Sequence, residues 1–301
     1  MRRVHAVLCA AVCCAVAALG AEVVQINSVQ DFVTRSQQEG LCTSDIVLNT
    51  DLNFADFSDA PAGLCSPKEG GYQGTFEGNG HTISGIVHNG LRSGLFAYAE
   101  NAKFQNITFD NTCSFTGAEA GAVAATAKNV QLSNIKNYGT ASGLYAGGLV
   151  GYVTGGLNMK NCNNAGKVVC KICQCAGGLV GMATDGESSI VVENCQNSGE
   201  ITASGDFSHA AQLGGIVGLA TVDNTLRASS NSNSGTMSCE VSGRTECYVG
   251  GTFGHIQAFN NIQGNAVLEN CANTGKIMAA SASFVAVGGI VGKANATITI
   301  K

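Results

Sequence analysis

One short pattern recurs through the second half of the chain and restricts the folds open to it. The pattern is Gly-Gly-x-x-Gly, with mostly apolar residues at x, and it occupies residues 147–151, 177–181, 214–218, 250–254 and 288–292. Degenerate copies precede these blocks at residues 93–96 and 120–123. Successive clear blocks begin 30, 37, 36 and 38 residues apart. A period in this range is typical of repeat proteins, whose units are stable only when they stack on one another.

A second pattern, based on Asn-x-x-Asn-x-Gly, alternates with the glycine blocks. Its copies occupy residues 134–139, 161–166, 194–199, 230–235 and 270–275. Short segments of alternating apolar and polar residues flank each copy, and none leaves room for the crossover helix of a βαβ unit. Each repeat therefore holds three short strands separated by corners. This arrangement predicts an all-β fold, a right-handed parallel β-helix with one coil per repeat.

Stacking the repeats places equivalent residues in columns along the helix axis. One column, two residues before the corner glycine, holds Asn137, Asn164, Asn197, Asn233 and Asn273. Side-chain amides stacked about 4.8 Å apart can hydrogen-bond along the axis, so we expect a buried amide ladder here. The column two residues earlier holds Ile135, Cys162, Cys195, Asn231 and Cys271. Because isoleucine occupies this column once, we interpret its cysteines as small buried apolar residues and not as catalytic thiols.

The composition agrees with a β-fold that has many tight corners, and it excludes several other classes. The 301 residues include 40 Gly but only 2 Pro, without a triplet register, which excludes collagen. Charged residues make up 12% and hydrophobic residues 45% of the chain, unlike a disordered protein. Glycines scattered through a helix would each cost about 1 kcal/mol, which argues against a coiled coil or helical bundle.

The first twenty residues have the features of a secretory signal peptide. Arg2 and Arg3 precede an apolar run, and Ala18 and Gly20 supply the small residues of a cleavage site. Without residues 1–20 the chain has 14 basic and 21 acidic side chains and 11 cysteines. The acidic balance argues against a nucleic-acid partner, and the cysteine count is typical of an oxidising compartment. No later segment has the length and apolarity of a transmembrane span, so we expect a secreted or cell-surface protein.

The repeats resemble those of secreted and cell-surface proteins that carry GLUG motifs, named for the Gly-Leu-x-Gly block. Residues 72–85 are similar to the segment that opens the β-helix in that family, and residues 46–52 are similar to its first strand. The resemblance covers about residues 24–301. The resemblance implies a β-helix of the adhesin-like type. The family also includes repeat ectodomains, and some of these are attached to peptidases. It carries no shared catalytic residues, and this chain departs from the pattern in its many cysteines and longer corners.

These features predict three consecutive parts of the chain. Residues 1–20 form the signal peptide, residues 21–70 an N-terminal cap, and residues 71–301 the β-helix. The cap holds the first strand and a short helix at residues 28–38, for which Ser28 is the expected N-cap.

The cysteines outside the buried column flank corners, where disulfides would act as staples. We predict the pairs Cys42–Cys65, Cys170–Cys175 and Cys239–Cys247, the last two as equivalent staples of long corners. Cys113 and Cys173 have no clear partner, so they join each other or Cys173 is a free thiol. The run at residues 170–175 also has the spacing of a zinc site, but it offers three cysteines and no adjacent His. We expect disulfides there, and no metal or cofactor anywhere in the protein.

Polysaccharide lyases and hydrolases also use β-helices, so a carbohydrate-active enzyme is one alternative function. Such enzymes need clustered carboxylates. The acidic candidates are Asp51, Asp56, Asp59, Asp110, Asp185, Glu187, Glu193, Asp206, Asp223 and Glu269. No acidic pair recurs in one column on neighbouring coils. Lys160 occupies the same column as Glu193, and this mixture of charges indicates a solvent-exposed face. His81 is more easily explained as structural, and His209 and His255 lack an evident Ser or Cys partner, so we assign no catalytic residue.

We expect instead a non-enzymatic interaction protein that binds a protein or glycan ligand through variable corners at residues 203–213 and 239–249. Asn106 and Asn295 begin N-glycosylation sequons, which matter only in a eukaryotic secretory pathway, and Asn106 is expected on a strand. The strand at residues 296–300 offers unpaired backbone groups. We expect either that a partner or a second copy covers it, through self-association of the C-terminal coil, or that the chain is a shortened gene product. End-to-end assembly into a wall or coat is the second alternative.

Overall fold

The computed structural model describes residues 21–57, 60–171, 174–186, 188–206, 210–242, 246–258, 264–281 and 283–301. Over these ranges the chain is a parallel β-helix, as predicted, and its strands pair in parallel within four sheets. The predicted signal peptide lies outside the described residues. No helix in the described ranges is long and apolar enough to cross a membrane.

The first part of the chain builds the cap and the first coil. It contains β1 (Val23–Ile26), α1 (Val29–Ser36), β2 (Asp45–Leu48), β3 (Leu52–Asn53), β4 (Thr75–Glu77), β5 (Thr82–Ser84), β6 (Val87–Asn89), β7 (Arg92–Ser93) and β8 (Phe96–Glu100). The next coils contain β9 (Lys103–Gln105), β10 (Thr108–Phe109), β11 (Ser114–Thr116), β12 (Glu119–Ala120), β13 (Ala124–Ser133), β14 (Lys136–Asn137), β15 (Thr140–Ser142), β16 (Tyr145–Gly147), β17 (Val150–Lys160), β18 (Asn163–Asn164) and β19 (Val168–Cys170).

The remaining strands repeat the same order of faces. Two further coils contain β20 (Cys175–Gly177), β21 (Val180–Thr184), β22 (Ser189–Glu193), β23 (Gln196–Asn197), β24 (Ile201–Asp206), β25 (Ala211–Gly214), β26 (Val217–Thr221), β27 (Thr225–Ser229), β28 (Ser232–Asn233) and β29 (Met237–Ser242). The last described strands are β30 (Glu246–Gly250), β31 (Phe253–Gln257), β32 (Asn265–Glu269), β33 (Ala272–Asn273), β34 (Ile277–Ser281), β35 (Phe284–Gly288), β36 (Val291–Asn295) and β37 (Thr297–Ile300).

In the part of the chain that the structure describes, four sheets run along the helix axis. Sheet A has fifteen strands, because most coils give it two segments: β1, β2, β4, β8, β9, β13, β17, β21, β22, β26, β27, β31, β32, β36 and β37. Sheet B has eight short strands: β3, β5, β10, β14, β18, β23, β28 and β33. Sheets C and D have seven each, C with β6, β11, β15, β19, β24, β29 and β34, and D with β7, β12, β16, β20, β25, β30 and β35.

The coil is divided more finely than the three strands predicted for it. The sequence pattern treats the glycine block as one strand, but in the structure the block is a bend with a strand on either side. In one coil β16 ends at Gly147 and β17 begins at Val150. Each coil therefore has four faces. Sheets C and D have seven strands each within the described residues.

The N-terminal cap contains the predicted helix. The Ser28 side chain accepts a hydrogen bond from the Asp31 amide at 3.0 Å, and the Asp31 carboxylate accepts one from the Asn27 amide at 3.1 Å. These contacts satisfy amides that have no partner within a helix. Phe32 of α1 is fully buried and packs edge-on against Phe54, with ring centroids 5.9 Å apart. The helix thus covers the N-terminal end of the core.

Two separate apolar cores lie inside the coils. The larger core is between sheets A and B, with side chains such as Leu157 and Met159 from sheet A and Phe109 from sheet B. The smaller one is between sheets C and D, with side chains such as Val168 and Ala176. We call these two parts the first lobe and the second lobe.

A narrow waist separates the two lobes. On one side lies the second glycine of each block, and on the other lies the asparagine column. A Cβ atom added to Gly178 would be 2.0 Å from the Gly215 carbonyl oxygen and 2.5 Å from Cγ of Asn197. Only glycine allows the backbone to approach this closely. The recurring glycines therefore mark the contact between two corners of the coil.

Candidate functional site

The asparagine column lies in the waist and forms a continuous amide ladder. Nδ2 of each asparagine donates to Oδ1 of the next one along the axis. The four distances, from Asn137 through Asn164, Asn197 and Asn233 to Asn273, are 2.8, 2.9, 2.7 and 2.7 Å. The first four members are at most 1% exposed, so these amides are structural and unavailable to a ligand.

The cysteines of the neighbouring column lie in the first core. Cys162 and Cys195 are buried free thiols, and Cys271 on the last coil is a partly buried one. Burial raises the pKa of the Cys162 thiol well above its ordinary value. A thiol held neutral in an apolar core is a poor nucleophile, which agrees with the structural interpretation.

Two of the three predicted disulfides are present. Cys42 and Cys65 bond across the cap, with Cα atoms 5.6 Å apart. Cys239 of sheet C and Cys247 of sheet D bond across the second core, with Cα atoms 6.9 Å apart.

The predicted Cys170–Cys175 bond is wrong. Cys170 is disulfide-bonded, but Cys175 is a buried free thiol whose sulfur lies 3.1 Å from the Gln212 side chain. In the ladder Cys175 aligns with Gln212 and Tyr248, one residue away from the position of Cys247. Since a shift of one residue turns a side chain to the opposite face of a strand, Cys175 points away from the second core. Cys113 is a buried free thiol, and Cys173 lies outside the described residues.

The two sequon asparagines occupy different environments. Asn106 lies at a corner after β9 and not on a strand as predicted, with a left-handed φ of 57° that asparagine tolerates well. Its Nδ2 donates to Glu77 at 3.0 Å, and its Oδ1 accepts from Asn134 at 3.0 Å. Asn295 is exposed on β36, and its Oδ1 lies 3.2 Å from Nε2 of His255.

Among the acidic candidates that the structure describes, Asp185 and Asp223 are neighbours. Asp185 is fully buried, and its carboxylate accepts backbone hydrogen bonds from Asp223 at 2.8 Å and Asn224 at 2.7 Å. Burial raises the pKa of this carboxyl group. Asp185 therefore shapes a corner of the next coil. In the described ranges no group of three His, Cys, Asp or Glu side chains could hold a metal ion. Asp59, Glu187 and His209 lie outside the described residues, as does the side chain of Asp206.

Two histidines lie beside polar partners in pairs that resemble catalytic dyads. Nδ1 of His88 is 3.1 Å from the Ser93 hydroxyl, but that hydroxyl is fully buried and donates to the His88 carbonyl at 2.9 Å. His81 lies 3.0 Å from Asp51, whose carboxylate also accepts from the Thr82 amide at 2.8 Å. These hydrogen bonds lower the pKa of Asp51. Both pairs hold corners in place.

A polar groove lies on the outer face of sheet A. Its volume is about 270 Å³. Six outward side chains on β9, β13 and β17 line it: Lys103, Gln105, Gln131, Ser133, Asn158 and Lys160. We call this site the polar groove.

The groove has a regular geometry, because neighbouring coils are in register. Lys103, Gln131 and Asn158 are ladder partners and form one row. Gln105, Ser133 and Lys160 form a second row, two residues further along the strands. Within a row, side chains on neighbouring coils are separated by the strand spacing of about 4.7–4.9 Å. The groove is thus a grid of two rows and three coils that presents amides, a hydroxyl and two ammonium groups.

The charges around the groove balance one another. Lys160 forms a salt bridge of 2.9 Å with Glu193 at one end, and Gln105 donates to Glu77 at 2.7 Å at the other. Lys103 has no ion pair within the described part of the chain. The groove can donate and accept many hydrogen bonds at once, and it contains no activated nucleophile. Sequence reasoning missed it, although aligning the outward positions of these strands would have brought the six residues together.

Comparison with known proteins supports the fold and goes no further. Neither a protein-family model nor a curated protein sequence matches the chain. The crystal structure of a protein from Bacteroides ovatus, proposed to be an immunoglobulin A1 protease, is similar. The two superpose with a TM-score of 0.52 at 20% identity, over 92% of this chain and 76% of that one. At this identity the similarity shows the fold alone.

A second feature is a cluster of side chains packed where sheet D meets sheet A. Near the C-terminal end it holds the rings of Tyr248 and His255, with centroids 5.4 Å apart, and Lys293 above the Tyr248 ring at 4.2 Å. His255 is 5% exposed, and no hydrogen bond reaches its Nδ1 from the described residues. Burial lowers the pKa of His255, and the nearby Lys293 ammonium lowers it further, although a hydrogen bond with Asn295 opposes the shift.

The buried histidine predicts a loss of stability on acidification. Because its pKa is lower in the folded chain than in the unfolded one, the unfolded chain binds more protons near and below pH 6.5 or so. The contribution of His255 to stability is therefore constant above this range. It falls as the pH drops through the range, by up to about 1.4 kcal/mol per pH unit for one proton. His255→Gln should flatten this slope in urea-unfolding experiments between pH 5 and pH 7. His88, whose pKa burial also lowers, supplies a slope that remains in both proteins. Equal slopes for both proteins would contradict the prediction.

Proposed function

We propose that the protein is an exported, non-enzymatic interaction protein of the adhesin-like type, which binds a glycan or protein ligand on a cell surface or matrix. The observation that carries this proposal is the polar groove. Its side chains are those that bind hydroxyl-rich or amide-rich ligands, and they project from rigid strands in register.

Three other features support the proposal. The repeats resemble those of GLUG-motif surface proteins. Disulfides in the cap and in the second lobe are typical of oxidising compartments. Asp185, one of the acidic candidates for glycan cleavage, is engaged in backbone hydrogen bonds.

The groove, rather than the variable corners, is the expected contact surface. A ligand lying along the groove would contact three coils, and each coil would offer two side chains. Such a repeated surface suits an extended polymer better than a compact molecule. The long corners at the far end of the second lobe would then modify selectivity without forming the primary contact.

The test is binding of the purified protein to an immobilised glycan array and to a panel of matrix proteins. In the groove variant Lys103→Ala, Gln131→Ala and Asn158→Ala are combined, which removes the first row. If each lost hydrogen bond contributes about 1 kcal/mol, affinity should fall about 100-fold.

A matched control variant exists on the outer face of sheet B. Lys136, Asn163 and Gln196 are ladder partners on three successive coils and have the same three side-chain types. Truncating all three to alanine should leave affinity unchanged. Equal losses in both variants, or no binding to any probe, would count against the proposal.

A further inference from the structure

The polar groove has a border of asparagines along one side. In each of the three coils that line the groove, an asparagine directly follows the residue of the second row, at the corner between sheets A and B. These residues are Asn106, Asn134 and Asn161, with left-handed φ angles of 57°, 55° and 54° that asparagine tolerates. Asn134 and Asn161 are exposed, and Asn106 is partly buried. We call these three residues the asparagine rim, and it adds one amide per coil to the groove.

The hydrogen bonds of the asparagine rim are interrupted beside the groove. Nδ2 of Asn134 donates to Oδ1 of Asn106 at 3.0 Å, and Nδ2 of Asn194, on the next coil, donates to Oδ1 of Asn161 at 2.7 Å. Between these two pairs, Oδ1 of Asn134 and Nδ2 of Asn161 have no hydrogen-bond partner among the described residues. A hydroxyl group between them can donate to the first atom and accept from the second. The interruption therefore fits an alcohol.

The charges around the groove favour an uncharged ligand. Lys160 is paired with Glu193 at 2.9 Å, and Glu77 lies at the other end, where Gln105 donates to it at 2.7 Å. Together with Lys103 these side chains carry two positive and two negative charges. The chain beyond residue 20 has 14 basic and 21 acidic side chains, so its long-range field repels a polyanion.

The side chains of the groove do not resemble those of a protein-binding surface. Protein interfaces obtain most of their affinity from anchors such as tryptophan, tyrosine and arginine. Within the described residues, no such side chain lines the groove. The two apolar residues beneath it, Phe104 and Leu132, are each 1% exposed and belong to the core. The side chains presented to solvent are amides, a hydroxyl and two ammonium groups, which suit a hydroxyl-rich ligand.

We propose that the ligand of the polar groove is an uncharged linear polysaccharide that lies parallel to the helix axis. This inference rests on the proposed function and narrows it to one class of ligand. Side chains within a row are about 4.7–4.9 Å apart, and an extended chain of β-linked hexoses advances by nearly the same distance per sugar. Each sugar then meets one coil. Its hydroxyl groups bond to the amides of that coil, and one hydroxyl lies between Asn134 and Asn161.

The experiment is calorimetric titration of the purified protein with linear β-linked hexose oligosaccharides, from the disaccharide to the hexasaccharide. Affinity should rise about fivefold from the disaccharide to the trisaccharide, as one more coil is engaged, and should change little beyond it. Added salt should leave this affinity unchanged, because screening acts on charges. Oligosaccharides of hexuronic acids with the same linkage should bind about tenfold more weakly.

Asn161→Gly tests the contact at the rim, because glycine adopts the left-handed backbone and the change removes only the side chain. Affinity for the tetrasaccharide should fall about fivefold. Asn270→Gly is the matched control. Asn270 is exposed at the equivalent corner of a coil outside the groove, with a φ of 51°. This variant should bind like the original protein, and thermal unfolding would verify that both variants fold.

Two results would overturn this inference and leave the proposed function in place. One is tighter binding of the hexuronic acid oligosaccharides. The other is binding of a matrix protein alone, lost in the groove variant. A hexose affinity that Asn161→Gly leaves unchanged would also overturn the inference. If no probe binds, both the inference and the proposed function are wrong.

Discussion

Replacing Gly215 with alanine is expected to destabilise the protein severely, because the waist has no room for a methyl group. The new Cβ would lie 2.1 Å from the Gly251 carbonyl oxygen and 2.5 Å from Cβ of Asn233. Neither atom can move alone, because one belongs to the backbone of the next coil and the other to the amide ladder. The waist would have to widen over several coils, at a cost of about 3 kcal/mol or more. Urea unfolding followed by circular dichroism would measure the loss.

The chain offers a matched control for this substitution. Gly289 is the equivalent glycine of the last block, and a Cβ added there would meet nothing within 4 Å. Gly289→Ala should be neutral, or stabilise the fold slightly by restricting the unfolded chain. Similar losses for the two variants would show that glycine is needed for backbone conformation and not for close approach.

Replacing Asn197 with alanine should also have a large effect. Its side chain accepts a hydrogen bond from Asn164 at 2.9 Å, and donates to Asn233 at 2.7 Å and to the Gly199 carbonyl at 3.0 Å. The substitution leaves three buried polar groups without these partners, each costing about 1–3 kcal/mol. We expect a destabilisation of about 3 kcal/mol in total, seen as a lower urea midpoint.

The end of the same ladder supplies the comparison. Asn273 accepts from Asn233 at 2.7 Å and donates to the Gly275 carbonyl at 3.1 Å, but it is partly exposed on the last coil. Water can replace its bonds, so Asn273→Ala should cost only about 1 kcal/mol. If the ladder acted through packing alone, the loss of unfolding free energy would depend on the volume removed. Both variants remove the same volume, so their losses would then be equal.

The repeat columns were predictable from the sequence because every coil repeats the same physical requirement. Gly178 and Gly215 are needed at the waist, and Asn197 and Asn233 are needed opposite them, so both columns are visible as patterns. The same reasoning identified the buried position of Cys195. Periodicity is informative wherever a coil must match its neighbour in the interior.

Other features follow from geometry that the pattern does not encode. The bend at the glycine block, which gives four sheets in place of three strands, depends on how Gly147 and Val150 lie in space. The predicted Cys175 pairing is wrong because corner length hides a one-residue shift in register. The polar groove escaped notice because Lys103 and its neighbours face solvent, where each coil is free to differ.

The waist fixes certain positions of each coil, whereas the length of the repeat varies. The repeat length varies between 30 and 38 residues, yet the ladder and the glycine column keep their spacing in every coil. Extra residues occur on both sides of the waist. Strand β19 of sheet C has three residues and β24 has six, while three residues separate β26 from β27 of sheet A and seven separate β31 from β32. Such a scaffold can gain or lose residues at corners in either lobe while the ladder holds neighbouring coils in register. In protein engineering, these corners are accordingly places to insert new loops.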